Sequence, residues 1–292
     1  MVLSVDRIYN ADCLEFMEQA PDSLVDVIVT SPPYNIGKNY GPYIDSRRKE
    51  EYLEWLGSVA KSSKRILKEN GSFFLNMGAK PTDLMLPFEA AARFAETYSL
   101  QNVIHWIKHI SIPEKRAERG SGACSYTSRG HFKPVNSEFY LSQAHEYVFH
   151  FTKGGRTRID KMAIGVPYQD KSNVKRWNRK SDLRDRGNVW FVPYETSVGK
   201  YLNPKLHPAE FPVGLPTLCI KLHGIRPGML VYDPFMGIGS TALACYELGV
   251  QYIGTEVNPQ YIQIAMKRLE EHGFLPGKDT IGEGRHNSSS SW

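Results

Sequence analysis

Residues 229–256 read MLVYDPFMGIGSTALACYELGVQYIGTE, and this stretch decides the fold. Apolar residues at 229–232 and 251–255 are typical of short buried strands, and 240–248 between them suits a helix. Two strands joined by a helix form a βαβ unit, in which the strands lie parallel and the helix covers one face of the sheet. The stretch therefore predicts an α/β fold with a doubly wound, mostly parallel sheet.

The first of these strands is joined to the helix by a glycine-rich turn, DPFMGIGST, at residues 233–241. Glycines let the backbone approach a ligand closely, and the start of a helix offers N–H groups without partners inside the helix. No lysine precedes Ser240, which excludes a P-loop, and the third glycine of a dinucleotide-binding turn is missing. Glu256 ends the second strand, where a carboxylate can accept hydrogen bonds from ribose hydroxyls. Together these features predict a nucleoside-containing ligand, and S-adenosylmethionine fits the pattern.

A second turn, Ser31-Pro32-Pro33-Tyr34, follows the β-branched run VDVIVT at 25–30. The exocyclic amino group of cytosine or adenine is a weak nucleophile, because its lone pair is delocalised into the ring. Two acceptors directed at its N–H bonds favour a pyramidal nitrogen, and the Ser31 hydroxyl and the Pro32 carbonyl are the candidates. Consecutive prolines hold this backbone in place, and Tyr34 offers an aromatic face to a base extruded from a duplex.

The rest of the chain predicts further alternating elements. A loop rich in glycine, serine and arginine covers 112–137, which is typical of a mobile binding element, and a polar disordered tail is expected at 277–292. Asn70-Gly71 is expected to terminate the first of the predicted helices. Helices are expected at 48–67, 84–98, 210–223 and 259–272, and strands at 72–77, 102–107 and 145–151.

Charge is distributed unevenly along the 292 residues, whose formal net charge is +5. Residues 105–206 contain 19 Lys and Arg against 9 Asp and Glu, whereas the rest of the chain contains 17 against 22. A basic middle in an acidic frame is expected where nucleic-acid phosphates bind. Residues 153–206 are basic, aromatic and without helical periodicity. We expect them to form a recognition region inserted into a catalytic domain of residues 1–152 and 207–276.

Cysteine usage and hydropathy exclude several classes of protein. The four cysteines are scattered and contain no CxxC pair, which indicates neither a zinc site nor a disulfide framework, so no metal is expected. No apolar run approaches the ~20 residues that span a bilayer, and the N-terminus lacks the layout of a signal peptide. A cytoplasmic protein is expected.

The two turns together resemble the amino-methyltransferases of bacterial and archaeal restriction-modification systems. TSPPY at 30–34 is similar to the catalytic motif of that family, and DPFMGIGST at 233–241 to its cofactor loop. The order, with the catalytic motif first, is that of the permuted β group, and the resemblance covers most of the chain. It implies a circularly permuted, Rossmann-like methyltransferase fold, S-adenosylmethionine as cofactor and double-stranded DNA as substrate. It also implies a monomer or homodimer that works beside a separate restriction endonuclease.

The same resemblance implies site residues. The stretch 10–14 is similar to the family segment that contacts the adenine of the cofactor, and 207–212 to the helix start near its methionine end. Met236 and Ile238 depart from the family pattern, in which small residues are common. The implied catalytic residues are Ser31, Pro32, Pro33 and Tyr34. The implied cofactor contacts are Asp12, Cys13, His207, Asp233, Pro234, Phe235, Gly237, Gly239, Ser240, Thr241 and Glu256. In the basic segment the expected DNA contacts are Lys175, Arg176, Trp177, Arg179, Lys180 and Arg184, with Trp177 as a stacking residue.

The serine of SPPY favours the N4-cytosine members of the family, because N6-adenine members usually carry DPPY or NPPY. An N6-adenine enzyme is the nearest alternative. More distant alternatives are methylation of amino groups in RNA or of a protein amide, and a DNA-binding module without activity. Methylation at C5 of cytosine needs a thiolate, and no cysteine lies in a Pro-Cys turn at a strand end.

Overall fold

The computed structural model describes residues 3–37, 39–40, 43–113, 126–130, 135–141, 143–168, 182–193, 211–274 and 281–283. Its helices are α1 (Cys13–Gln19), α2 (Lys49–Ile66), α3 (Leu86–Ala95), α4 (Gly214–His223), α5 (Ser240–Leu248) and α6 (Pro259–Glu271). Its strands are β1 (Arg7–Asn10), β2 (Val25–Thr30), β3 (Asn39–Tyr40), β4 (Tyr43–Ile44), β5 (Leu67–Met77), β6 (Ser99–Pro113), β7 (Tyr126–Gly130), β8 (His145–Thr152), β9 (Val166–Pro167), β10 (Leu183–Arg184), β11 (Val189–Pro193), β12 (Leu230–Asp233), β13 (Gln251–Glu256) and β14 (Ile281–Glu283).

One large sheet has the strand order β11-β6-β8-β5-β2-β12-β13-β1-β14, with β7 also paired to β6. Strand β8 runs antiparallel to both of its neighbours, and β7 antiparallel to β6, whereas every other described pairing in this sheet is parallel. The prediction of a mostly parallel sheet is therefore confirmed. Two small ribbons, β3-β4 and β9-β10, stand apart from it.

Helices cover both faces of the sheet. On one face α1, α2 and α3 pack on a buried cluster that includes Ile28, Phe73 and Tyr232. On the other face α4, α5 and α6 pack on a cluster that includes Val27 and Val231. Adjacent residues of one strand thus enter opposite cores, and for this reason β2 is buried along all six residues. Such burial explains why its sequence is a continuous β-branched run.

The dipeptide Asn70-Gly71 does not terminate a helix, contrary to the expectation. Helix α2 ends at Ile66 and β5 begins at Leu67, so both residues lie within the strand. The pairing of β5 with β2 is irregular here, because Val25 is opposite Leu67 whereas Val27 is opposite Ser72. A side chain at Gly71 would approach the Leu67 side chain to 2.6 Å. The glycine therefore serves a bulge in the strand.

Two segments expected to be irregular contain strands. Strand β7 lies within the predicted loop 112–137, and β14 within the predicted disordered tail 277–292. They pair with β6 and β1 through backbone groups, which requires no apolar pattern in the sequence. Residues 114–125 and 131–134 of the loop, and the other residues of the tail, lie outside the described residues.

Part of the predicted recognition region belongs to the main sheet. Strand β11 pairs with β6, Trp190 and Val192 are buried in the core, and the Asp160 N–H donates to the Leu222 carbonyl at 2.7 Å. Residues 169–181 and 194–206 lie outside the described residues. The division of the chain into a catalytic domain and a recognition region at 153–206 stays a prediction.

Within the described parts of the chain, no helix has both the length and the apolar character needed to cross a membrane.

Five adjacent strands, β5, β2, β12, β13 and β1, run parallel, so their carboxyl ends lie at one edge of the sheet. The turn SPPY follows β2, and the glycine-rich turn follows β12, its direct neighbour. Glu256 ends β13, and Asp12 comes shortly after β1. The chain order of these strands separates the two predicted turns by about two hundred residues, and the sheet brings them side by side.

Candidate active site

A cleft of about 870 Å³, open to solvent, lies at this edge of the sheet. Most of the predicted catalytic and cofactor-contacting residues line it, and several further residues do so as well. The predicted residues in its wall are Asp12, Cys13, Ser31, Pro32, Pro33, Tyr34, Pro234, Phe235, Gly237, Ser240 and Glu256. The others are Tyr43, Trp55, Phe211, Met236, Ile238, Val257 and Tyr261.

Both prolines of the SPPY turn line the cleft, and their carbonyls differ in hydrogen bonding. The Tyr52 hydroxyl donates to the Pro33 carbonyl at 2.7 Å and thereby ties the turn to α2. The Pro32 carbonyl accepts no hydrogen bond from the described residues. Both lone pairs of the Pro32 carbonyl oxygen are therefore open to a ligand, whereas the Pro33 oxygen keeps one.

The hydroxyl groups of Ser31 and Tyr34 lie 2.8 Å apart. Tyr34 is 8% exposed, and its hydroxyl also donates to Glu146 at 3.0 Å and accepts from the Asn76 side-chain amide at 2.7 Å. Asn76 and Glu146 were not predicted as site residues. Their sequence signal was a polar side chain beside an apolar run, Asn76 near the end of β5 and Glu146 near the start of β8.

Asp233 forms the internal support of the glycine-rich turn. Its carboxylate accepts from the hydroxyls of Thr30 and Thr241, both at 2.6 Å, and from the Phe235 N–H at 3.0 Å. Burial raises the pKa of Asp233 to about 6, against these hydrogen bonds. The bond to Thr30 fixes the cofactor turn directly to the strand that carries SPPY.

Three predicted cofactor contacts do not line the cleft, namely Asp233, Gly239 and Thr241. Asp233 and Thr241 are 1% and 0% exposed, and the Thr241 hydroxyl donates a hydrogen bond to the Asp233 carboxylate. Gly239 has a φ of +86°, and a Cβ there would come within 2.8 Å of the Ala265 Cβ. These residues shape the turn from behind, and direct contact of them with a cofactor stays a prediction.

Glu256 is an acidic residue in the wall of the cleft, and burial raises its pKa. Its two carboxylate oxygens accept from the N–H groups of Gly237, at 2.9 Å, and Asn258, at 2.8 Å. Burial nevertheless raises its pKa to about 7. Each oxygen keeps a lone pair after accepting one bond, so the carboxylate can still accept from a ligand hydroxyl.

The methionine that departs from the family pattern has a clear place in the structure. Met236 packs over Gly254 of β13, where an added Cβ would lie 2.3 Å from the end of the Met236 side chain. The Met236 N–H donates to the Thr255 carbonyl at 2.9 Å, which holds the backbone of the turn. The glycine in the neighbouring strand therefore accommodates the larger residue.

An aromatic wall closes another side of the cleft. Trp55 contacts Tyr43 and Phe235, with ring centroids 5.7 and 5.4 Å apart, and the Arg47 guanidinium lies over both Tyr43 and Trp55. Neither Tyr43 nor Trp55 was predicted, because aromatic residues on a helix or ribbon are most often core. An apolar wall, a carboxylate and a glycine turn in one cleft fit a ligand that contains a nucleoside.

Asp12 and Cys13 stand at the start of α1. The Asp12 carboxylate caps the helix by accepting from the N–H groups of Leu14 and Glu15. Burial raises the pKa of the Cys13 thiol well above its usual value, so it stays protonated at neutral pH and is a poor nucleophile. Its state agrees with the expectation that no thiolate chemistry takes place here.

The expected DNA contacts fall mostly outside the described residues, as does the predicted cofactor contact His207. Arg184 is exposed on β10 and donates to the Asp185 carbonyl. The other expected contacts are Lys175, Arg176, Trp177, Arg179 and Lys180, and they are outside the described ranges.

Comparison with known proteins identifies the family. A family profile described as DNA methylase matches residues 25–267, which contain both turns and the strands that carry them. This chain belongs to the N6/N4 DNA methylase family. The membership predicted from the two turns is thereby confirmed, and the protein is an enzyme that methylates DNA.

Individual relatives of this methylase match over most of their length. The type II methyltransferase M.BglII of Bacillus subtilis is 27% identical over 294 residues, covering 95% of this chain and 73% of that protein. The DNA adenine methyltransferase YhdJ of Escherichia coli strain K12 is 26% identical, covering 90% and 82%. The solved structure of PvuII DNA methyltransferase (cytosine-N4-specific) matches with a TM-score of 0.64 at 24% identity, covering 93% of this chain and 86% of that one. The predicted methyltransferase fold is confirmed.

Proposed function

We propose that this methylase transfers a methyl group from S-adenosylmethionine to the exocyclic N4 amino group of cytosine at specific sites in double-stranded DNA. The base is flipped out of the duplex, and the transfer is direct, without a covalent enzyme intermediate. One observation carries the proposal: Ser31, Pro32 and Glu256 line one cleft.

S-adenosylmethionine is the methyl donor, and it supplies a methyl group activated by the positive charge of its sulfonium. Glu256 accepts the ribose hydroxyls, and Asp12 and Cys13 contact the adenine. The wall of the cleft near the glycine-rich turn holds the remainder through Pro234, Phe235, Gly237 and Ser240, to which the sequence adds His207. Asp233, Gly239 and Thr241 keep the turn in the shape that this binding requires.

The chemistry of the turn follows from its two acceptors. Ser31 and Pro32 accept hydrogen bonds from the two N–H groups of the amino group, which localises the nitrogen lone pair and directs it out of the plane of the base. The nitrogen takes the methyl group as the bond between that methyl and the sulfonium sulfur breaks, and one amino proton is then released to solvent, to which the cleft is open. Pro33 and the hydrogen bond from Tyr52 hold the acceptors at a fixed spacing. Tyr34 lines the cleft, and its ring is proposed to support the flipped base by stacking.

Cytosine is proposed as the base because the turn begins with Ser31, the residue usual in N4-cytosine members. The name of the PvuII enzyme, which describes it as cytosine-N4-specific, supports this choice. N6-adenine is the second candidate, since the relative YhdJ is named an adenine methyltransferase. The two acceptors suit either amino group, so the difference between the bases depends on contacts to the ring.

DNA recognition is assigned to the basic segment within 153–206, with Arg184 and the group around Trp177 as contacts. The names of type II relatives support a role as the modification component of a restriction-modification system beside a separate endonuclease. The net positive charge of the segment is expected to make binding weaken with salt.

The proposal is tested by incubating mixed-sequence duplex DNA with the protein and labelled S-adenosylmethionine, then digesting to nucleosides for mass spectrometry. Label in N4-methylcytosine is expected, and Ser31→Ala is expected to lower the transfer rate by about 100-fold. Ser58→Ala is the matched control, because Ser58 is exposed on α2 and bonds only to the Glu54 carbonyl in the described structure. Label in N6-methyladenine would show that the target base is adenine and not cytosine. Label in C5-methylcytosine, or no label on DNA, would contradict the mechanism.

A further inference from the structure

Next to the SPPY turn, a network of charged and polar side chains joins β5, β6 and β8. The proposed mechanism assigns no role to the members of this network on these strands. Glu146 of β8 pairs through one carboxylate oxygen with Lys108 of β6. Its other oxygen accepts from the Tyr34 hydroxyl at 3.0 Å and from the Asn76 amide at 2.7 Å. The side chain of Glu146 is 12% exposed, and the residue is not part of the cleft wall.

The direction of each hydrogen bond in this network is fixed by Glu146. An ionised carboxylate only accepts, so the single Tyr34 hydroxyl proton points at Glu146. The Asn76 amide must turn its nitrogen to this side, because its oxygen would otherwise lie 2.7 Å from a carboxylate oxygen. The Tyr34 oxygen is then left as an acceptor, for Asn76 at 2.7 Å and for Ser31 at 2.8 Å.

Ser31 therefore donates its hydroxyl proton to Tyr34, and the lone pairs of Ser31 Oγ remain available to accept a hydrogen bond from a ligand. A hydroxyl can donate as well as accept, and a Ser31 proton aimed at the target amino group would face the N–H that Ser31 has to accept and would compete for the nitrogen lone pair. We propose that Glu146 is a positioning residue that acts through Tyr34 to hold Ser31 Oγ as an acceptor for the amino group being methylated. The inference rests on the proposed function, in which that group is the substrate.

The surroundings of Glu146 are built for this contact. An added Cβ at Gly78 would lie 2.9 Å from the Tyr34 ring and 3.1 Å from a Glu146 carboxylate oxygen, so the glycine provides the space in which the two side chains meet. Lys108 occupies the far oxygen of Glu146. In Glu146→Gln the amide oxygen would face the Lys108 ammonium, which turns the amide nitrogen, a donor, towards Tyr34. With the carboxylate gone, the Tyr34 proton is no longer held away from Ser31, and the Ser31 proton is no longer held away from the substrate.

The test compares Glu146→Gln, Tyr34→Phe and the double variant in single-turnover methyl transfer to DNA. Glu146→Gln is expected to lower the rate constant by about 10- to 100-fold, with the Kd for S-adenosylmethionine and for DNA unchanged. In the Tyr34→Phe background the same substitution is expected to change the rate less than about twofold, because the connecting hydroxyl is absent. Glu96→Gln removes the carboxylate of an exposed ion pair with Arg93 and serves as the matched control, with the wild-type rate expected.

A loss confined to the rate constant and absent in the Tyr34→Phe background supports the inference. Full activity of Glu146→Gln, an equal loss in both backgrounds, or a loss that appears only in Kd overturns it. If Glu146→Gln does not fold, Tyr34→Phe alone decides, since it removes the acceptor of the Ser31 proton and must also lower the rate. A wild-type protein that transfers no label to DNA would instead overturn the proposed function, before any variant is compared.

Discussion

At the scale of single residues, the ionised form of Glu256 favours cofactor binding but lowers the stability of the folded protein. The carboxylate is buried beneath the glycine-rich turn, and its pKa is raised to about 7 from an ordinary 4.5. A raised pKa means that the folded state binds a proton more tightly than the unfolded chain does. The stability gained from that proton is complete below pH 4.5 and is lost as the pH rises to about 7.

Substitution of Glu256 by glutamine removes this pH dependence. The unfolding free energy of Glu256→Gln, relative to the wild type, is expected to increase by about 3 kcal/mol between pH 4.5 and pH 7.5, since one pH unit corresponds to about 1.4 kcal/mol per proton. Urea unfolding of both proteins without cofactor, at several pH values, measures the difference, and contributions from all other groups cancel. A difference that is constant with pH would mean that Glu256 ionises normally.

Cofactor affinity is expected to depend on pH in the opposite direction. Ribose hydroxyls donate to the ionised carboxylate, so binding favours loss of the Glu256 proton. The Kd for S-adenosylmethionine is therefore expected to fall by up to about tenfold per pH unit as the pH rises towards 7, and to level off above it. Calorimetry between pH 5.5 and 8.5 provides the measurement, and Glu256→Gln should bind weakly with no such slope. A flat wild-type profile would contradict a role for this carboxylate.

The positions of site residues were predictable from sequence where one motif contained the whole explanation. Ser31, Pro32 and Glu256 lie in the cleft as expected, because each stands directly at the end of a strand. Asn76 and Glu146 come from strands distant in sequence, and only the strand order brings them to Tyr34. Asp233 was predicted as a cofactor contact from its place in the turn alone. Its hydrogen bonds with Thr30 and Thr241 depend on the folded turn and have no signal in the sequence.

At the scale of elements, the unit β12-α5-β13 holds the cofactor turn by close packing between Met236 and Gly254. Gly254→Ala is expected to lower the unfolding free energy by about 1–3 kcal/mol, because the new Cβ would overlap the Met236 side chain. Adding Met236→Ala should recover part of this loss, so the two effects are not additive. Thermal and urea unfolding of both single variants and the double variant measure the coupling. Strictly additive effects would show that the two side chains do not press on each other.

A buried polar chain fixes β5 to its neighbours in the sheet core. The Ser72 hydroxyl lies 3.0 Å from His150 Nε2 and 2.9 Å from His223 Nδ1, and Asn102 lies 2.9 Å from the other nitrogen of His150. Burial lowers the pKa of His150 to about 3 and of His223 to about 4, so both rings are neutral at physiological pH. Neutral rings allow each bond to run in one consistent direction, from Asn102 through His150 and Ser72 to His223.

Ser72→Ala is expected to leave two imidazole nitrogens without partners and to lower the unfolding free energy by about 2–4 kcal/mol. Methyl transfer at 25 °C should be unaffected, because Ser72 lies outside the cleft wall. Urea unfolding beside the exposed-site control Ser58→Ala provides the comparison. A loss below about 0.5 kcal/mol would indicate that water replaces the hydroxyl.

Element boundaries were predictable where periodicity and burial agree. Strand β2 and helix α5 have the expected bounds, and α6 differs by one residue, because their apolar patterns match one or both cores. Strands β7 and β14 had no such pattern, since backbone pairing at a sheet edge places no demand on side chains. The bulge at Gly71 looked like a helix terminator for the related reason that the same dipeptide suits either structure.

At the scale of the whole molecule, function follows from strand order. The catalytic turn is early in the chain and the cofactor turn is late, yet β2 and β12 are neighbours, and the bond from Thr30 to Asp233 joins their ends. The fold class was predictable because the βαβ unit and two turns permit few arrangements. The sharing of β11 between the predicted recognition region and the main sheet was not, because no local pattern indicates which strand pairs with β6.

The central claim is that this methylase places a methyl group on the N4 nitrogen of cytosine at specific sites. The most direct measurement is single-molecule sequencing of genomic DNA, with nucleoside mass spectrometry, from a bacterial host that lacks its own methylases and expresses this protein or Ser31→Ala. We expect N4-methylcytosine at nearly every copy of one short sequence with the wild type, and far fewer modified sites with the variant. N6-methyladenine, or modified cytosine without a common sequence, would contradict the claim.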